Sequence, residues 1–253
     1  MLFLIDAGNT SLKACFYDKG ARDVLRLSTA VVRQAAADEL CGMLKDFFAR
    51  QKDGNPEGAV ISSVVTDATP LLADAVRKVF SLEPVIVDHV KKTGLKLHIK
   101  NPESVGSDRL ANAAAANRFY KGHKIIVDFG TATTFSVVTE EGGFRGGVIM
   151  PGIDISAKAL ASNTSKLPEI DIKAPEKILG DNTTDAILSG IIIGHAGAVD
   201  RIIEDIEKET GLDYTVIVTG GRADMMAPYI RSKNNIDPDL AFKGLKAIYD
   251  LNS

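Results

Sequence analysis

Asp6-Ala7-Gly8-Asn9-Thr10-Ser11-Leu12-Lys13 follows directly on the apolar run Leu2-Phe3-Leu4-Ile5. About half a chain later, Asp128-Phe129-Gly130-Thr131-Ala132-Thr133-Thr134 follows Ile125-Ile126-Val127 in the same manner. A buried strand that ends in an acid and turns through glycine presents a carboxylate and free backbone N–H groups at one corner. The N–H groups suit phosphate oxygens, and the carboxylate suits their cation. Two such corners predict a duplicated α/β fold holding a nucleotide in the cleft between its halves.

The flanking patterns repeat with the corners. The first half reads as strands over Leu2–Ile5, Leu12–Tyr17 and near Val24–Leu27, then a helix with Leu40, Met43, Leu44, Phe47 and Phe48 on one stripe. A buried strand over Ala59–Val65 and a helix carrying Leu71, Leu72, Ala75, Val76 and Val79 follow. The second half has strands over Lys124–Val127, Phe135–Thr139 and Arg145–Met150, with Glu140-Glu141-Gly142-Gly143 as a hairpin turn. Helices are expected near Ile155–Ala161 and Thr184–Glu209, a strand over Thr215–Val218, and a helix near Asp224–Ile230. The halves divide as lobes 1–115 and 116–253, bridged near the helical segment Gly106–Tyr120.

Composition sets outer limits. The chain of 253 residues is 45% hydrophobic and 25% charged, as expected for a globular protein with room for two modest cores. A net charge of −3 argues against broad nucleic-acid binding. Cys15 and Cys41 have no paired spacing, so a reduced, cytoplasmic setting is expected. The stretch near Ile187–Ala198 reads as too short and too interrupted to span a bilayer. His89, His98, His123 and His195 lack metal-ligand spacing and read as surface or packing residues.

Each candidate site has a plainer reading beside the chemical one. A tight hairpin accounts for Gly8-Asn9, but not for Asp6 before it or for Thr10, Ser11 and Lys13 after it. Backbone amides and hydroxyls there would wrap phosphates, Lys13 would offset their charge, and Asp6 would hold hydrated Mg²⁺. Thr131, Thr133 and Thr134 also suit an ordinary strand. Thr219-Gly220-Gly221 would let the backbone approach a flat ligand such as adenine. In Gly106-Ser107-Asp108-Arg109, Asp108 either favours a helix dipole or serves as general base for a substrate hydroxyl, with Arg109 facing an anion.

Taken together these segments resemble one family, type III pantothenate kinase, of the superfamily that joins acetate and sugar kinases, heat-shock chaperones and actin. The resemblance runs nearly end to end. It includes Asp6–Lys13, Gly106–Arg109, Asp128–Thr134, Pro151–Ile153, Gly180–Thr183, Ser189-Gly190 and Thr219–Gly221. It implies a duplicated actin-like ATPase fold of the ribonuclease H-like kind, with a mixed sheet in each lobe, and phosphorylation of pantothenate by ATP. It also implies that Asp6, Ala7, Gly8, Asn9, Thr10, Ser11, Leu12, Lys13 and Thr131 hold ATP. Gly106, Ser107, Asp108 and Arg109 would line the pantothenate site, with Asp108 as base. Asp128 would bind K⁺ or ammonium, and Thr183 would reach the pantothenate of the neighbouring subunit in a homodimer.

Two positions depart from the family pattern. Ile99 stands where the family often has tyrosine, and Ser136 where it often has an acid. Both bear on substrate affinity more than on the phosphate corners. A regulatory protein on the same scaffold, or a nucleotide-gated hinge protein, are the competing classes. The acidic charge weighs against direct DNA contact, and the length leaves little space for the insertions a hinge protein needs.

Overall fold

Leu2-Phe3-Leu4-Ile5 becomes the centre of a sheet, as an apolar run without alternation should. In the computed structural model, which describes residues 1–35, 37–50 and 54–253, strand β1 (Leu2–Ala7) lies between β2 (Ser11–Tyr17), antiparallel to it, and β4 (Gly58–Ser63), parallel to it. With β3 (Ala21–Ser28) and β5 (Val85–Ile86) the order is β3-β2-β1-β4-β5. Successive β1 side chains enter different cores. Phe3 and Ile5 join one cluster, while Leu2 and Leu4 join another on the opposite face.

The Phe3 face is covered after the short helix α1 (Thr29–Gln34) by α2 (Ala37–Ala49) and α3 (Ala68–Phe80). The expected α2 stripe is there, with Leu40, Cys41, Leu44 and Phe47 buried. Phe3, Phe16, Phe47 and Phe80 pack as one aromatic cluster, with Phe3 to Phe80 centroids 4.9 Å apart and Phe16 to Phe47 5.3 Å apart. After the two-residue strand β6 (Lys96–Leu97), α4 (Ser107–Phe119) covers the Leu2 face. Its partner there is α8 (Leu240–Asn252), through Phe242, Leu245 and Ile248. This unit comprises Met1–Phe119 and Asp239–Ser253.

The second unit, Tyr120–Pro238, repeats the plan. Strand β7 (His123–Phe129) lies between antiparallel β8 (Ala132–Val138) and parallel β10 (Tyr214–Thr219). Antiparallel β9 (Gly143–Pro151) flanks β8, and parallel β11 (Asn234–Ile236) flanks β10. Helices α5 (Ile153–Asn163), α6 (Thr183–Thr210) and α7 (Ala223–Met226) contribute to its core with Ile125, Val127, Phe135 and Val218.

Several elements differ from the sequence reading. The helix expected near Asp224–Ile230 is the short α7 and then a 3₁₀ turn over Ala227–Tyr229, because Pro228 lacks the N–H that an α-helix would use. Helix α6 keeps the bounds expected near Thr184–Glu209, but by length and composition it is long enough to cross a membrane, unlike the stretch near Ile187–Ala198 taken alone. More than half of its apolar stretch is buried, with Ile187, Ile191, Ile192, Val199 and Ile203 in the second unit's core. That is the pattern of a core helix.

The contact between α4 and α8 is close because both helices are small-sided where they meet. A Cβ on Gly244 would lie 1.8 Å from the Ala111 carbonyl oxygen. Gly244→Ala is therefore expected to lower unfolding free energy by about 2–3 kcal/mol in urea titrations, since backbone cannot yield as a side chain can.

Candidate active site

The first corner is built by register. Asp6 lies opposite Lys13 on β2 and Ser62 on β4. Ala7 and Leu12 are buried and anchor the two strand ends in the core. Between them the chain turns with Gly8 N–H donating to the Ser11 carbonyl at 2.9 Å. The Thr29 hydroxyl donates to the Gly8 carbonyl at 2.6 Å, and Thr29 N–H donates to the Thr10 carbonyl at 3.1 Å. The turn is thus tied to the start of α1, while the side chains of Asn9, Thr10 and Ser11 stay exposed.

The Asp6 carboxylate is the electrostatic centre of this corner. Its Oδ1 is buried and accepts no hydrogen bond. Desolvation raises its pKa to about 6, and the nearby Asp108 carboxylate pushes the same way. Lys13 and a hydrogen bond from Ser62 oppose the rise. An orphaned, desolvated carboxylate oxygen is a ready ligand for a cation. No group of three or more acidic, histidine or cysteine side chains able to hold a metal occurs among the described residues. A single carboxylate still fits Mg²⁺, which takes most of its ligands from water and phosphate.

Asp108 reaches the same neighbourhood from the first turn of α4. Its Oδ1 accepts the Arg109 N–H at 2.7 Å. Burial raises its pKa, and the Arg109 N–H and guanidinium draw it part of the way back. Burial also lowers the Arg109 pKa, while Asp108 opposes that shift. Gly106 makes this placement possible, because a Cβ there would sit 2.4 Å from the Asp108 Oδ1. Asp6, Lys13, Ser107, Asp108 and Arg109 therefore belong to a single constellation of the first unit.

The second unit carries an equivalent corner. Asp128 lies between Thr134 on β8 and Thr219 on β10, and Gly130 N–H donates to the Ala132 carbonyl at 3.2 Å, closing a turn one residue tighter than that at Gly8. Thr131 is exposed at its tip. Gly220 has φ +96°, and a Cβ there would lie 2.4 Å from the Asp128 Oδ1 and 2.6 Å from the Phe129 nitrogen. In this structure the closeness of Thr219-Gly220-Gly221 serves Asp128 and the β7 backbone. Thr183 is exposed on a separate element, at the first turn of α6, where Asn182 caps the helix by accepting the Asp185 N–H at 2.9 Å.

Two contributors carried no signal in the sequence. Ser62 stands among unremarkable strand residues until register sets it across from Asp6. His195 proves to be a packing residue with a polar task. Its Nε2 hydrogen-bonds the buried Thr133 hydroxyl at 2.9 Å, and burial lowers its pKa, which favours the neutral ring.

A structure described as a Baf family transcriptional activator from Campylobacter jejuni superposes with a TM-score of 0.62, at 19% identity over 99% of this chain and 98% of its own. One described as a 2-dehydro-3-deoxygalactonokinase from Sinorhizobium meliloti gives a TM-score of 0.58, at 14% identity over 99% and 97%. The class is thereby set: two mixed-sheet units, each with an acid-glycine corner, in the duplicated actin-like ATPase fold. The family model for type III pantothenate kinase matches residues 2–205. Type III pantothenate kinases of Agathobacter rectalis and Dehalococcoides mccartyi are 37% and 38% identical, over 98% and 99% of this chain and 96% and 98% of theirs. The chain belongs to the type III pantothenate kinase family.

Asp6 yields a stability prediction. Its native pKa, about 6 against an ordinary 3.8, means that the folded chain binds the proton more tightly than the unfolded chain. Stability therefore falls as pH rises from about 3.8 to about 6, where the unfolded chain has ionised and the folded one has not, and is level above that. Asp6→Asn is expected to stabilise the ligand-free protein by about 2 kcal/mol near neutral pH, allowing for partial exposure, and by nothing near pH 4. Urea unfolding at both pH values measures the difference.

Proposed function

We propose that this protein transfers the γ-phosphoryl group of ATP to the hydroxyl of pantothenate. The products are ADP and 4′-phosphopantothenate, in the first step of coenzyme A synthesis. Family membership over nearly the whole chain supports the reaction. The observation that carries its assignment to residues is the buried, partnerless Asp6 Oδ1 within electrostatic reach of Asp108.

Phosphoryl transfer needs alignment and charge neutralisation more than covalent assistance. In this reading the turn from Ala7 to Leu12 holds the nucleotide, and the family resemblance gives Thr131 a nucleotide-binding role as well. Lys13 offsets phosphate charge. Asp6 is the residue for Mg²⁺, whose role is to neutralise charge on the phosphate oxygens. Gly106, Ser107 and Arg109 line the pantothenate site, with Arg109 suited to the substrate's carboxylate. Asp108 takes the hydroxyl proton as the oxygen bonds to phosphorus and ADP departs with the electron pair. Its raised pKa makes it a better base than an ordinary carboxylate and shifts the acid limb of the rate profile toward neutrality.

Asp128 is the proposed ligand for K⁺ or ammonium. Thr183 is proposed to reach the pantothenate bound by the second copy in a homodimer, and the cytoplasm is the proposed setting. The two lobes of the reading, 1–115 and 116–253, carry one acid-glycine corner each.

The decisive assay is ADP release with and without pantothenate. Stimulation by pantothenate supports a kinase, and its absence supports a non-catalytic protein on this fold. Asp108→Asn should retain ATP binding by calorimetry while kcat falls by roughly 10²–10⁴-fold, and near-normal turnover would remove Asp108 from its role. Exchange of K⁺ for Na⁺ should slow the enzyme several-fold, and Asp128→Asn should abolish that dependence. Equal rates in the two salts would remove the monovalent-cation site.

A further inference from the structure

Ser62 lies in β4, fully buried and in register with Asp6. Ser107 opens α4, is also buried, and immediately precedes Asp108. Their hydroxyls hydrogen-bond at 3.1 Å. The bond joins β4 to α4, and each partner neighbours one carboxylate of the constellation.

We infer that Ser62 and Ser107 form a positioning bridge that fixes the placement of the general base Asp108 relative to Asp6. The inference rests on the kinase reading above.

Like charges in a poorly solvated place repel, and the easiest relief is withdrawal of the first turn of α4 from the strand ends. The bridge joins those two elements beside the repelling groups. Ser62 also stands in register with Asp6, so a single buried side chain neighbours one carboxylate and bonds the residue next to the other. Stability gives little reason for such a pair. Replacing both members of a buried hydroxyl bond by apolar groups of similar shape is close to neutral, whereas removing one strands the other. A displacement of the base by a fraction of an ångström, however, is costly to a transfer that depends on alignment.

Four variants test the bridge: Ser62→Ala, Ser107→Ala, the double Ser62→Ala/Ser107→Ala, and Ser62→Thr, which keeps the hydroxyl. Each is compared with wild type and Asp108→Asn in pantothenate-dependent ADP release and in thermal unfolding. Both single alanine variants should lose roughly tenfold in kcat, with KM for ATP within about twofold. The double should be no worse than either single, because the two act as one unit, and its melting temperature should lie near wild type. Ser62→Thr should recover most of the rate. Full-speed Ser107→Ala beside an inactive Asp108→Asn would overturn the bridge and leave the kinase reading intact. Losses that multiply in the double variant, or that track melting temperature, would also overturn it. A wild-type protein with no pantothenate-dependent turnover would overturn both.

Discussion

Everything in the site depends on a carboxylate that the fold desolvates and does not repay. Asp6 sits one residue from the end of a central strand, in a first unit whose core clusters exclude water from both faces of that strand. Nothing among the described residues donates to its Oδ1, and Asp108 adds like charge instead of relief. A folded chain would ordinarily eliminate such an arrangement, because it subtracts from a small net stability. Its persistence makes sense if a cation and polyphosphate complete the shell. The conformational energy is then spent where charge must be met during transfer.

The same plan, executed twice, gives two corners with different chemistry. Both have an acid one residue from a strand end, a glycine amide closing the turn, and an antiparallel plus a parallel neighbour. In the first unit the parallel neighbour supplies Ser62 and the next helix brings Asp108. In the second it supplies Thr219 and then Gly220, whose missing side chain lets backbone close in on Asp128. One corner gains a second carboxylate, and the other gains a wall of main chain.

Legibility followed the range of the physics. The strand-acid-glycine corners, the α2 stripe and the repeated order were readable because each is a local pattern of burial and turn chemistry. The end of the helix at Pro228 was also local, yet a run of apolar residues masked it. Ser62 was not readable, since its importance arises only from register with Asp6 across a parallel pair. The short strands β5, β6 and β11 are two or three residues long and leave no periodic trace. Helix α8 was missed altogether: the sequence reading ends at the helix near Asp224–Ile230, although Leu240, Phe242, Leu245 and Ile248 bury one face of Leu240–Asn252. Even a helix read from such a stripe is silent about what it buries that face against.

That helix has a consequence for biogenesis. Leu240–Asn252 lies beyond the whole second unit in chain order, yet it covers the alanine-rich side of α4 in the first. During synthesis the earlier unit must wait, with one hydrophobic surface uncovered, until the later one has been translated. Until then the nascent chain carries exposed apolar surface, the condition under which incomplete folds aggregate.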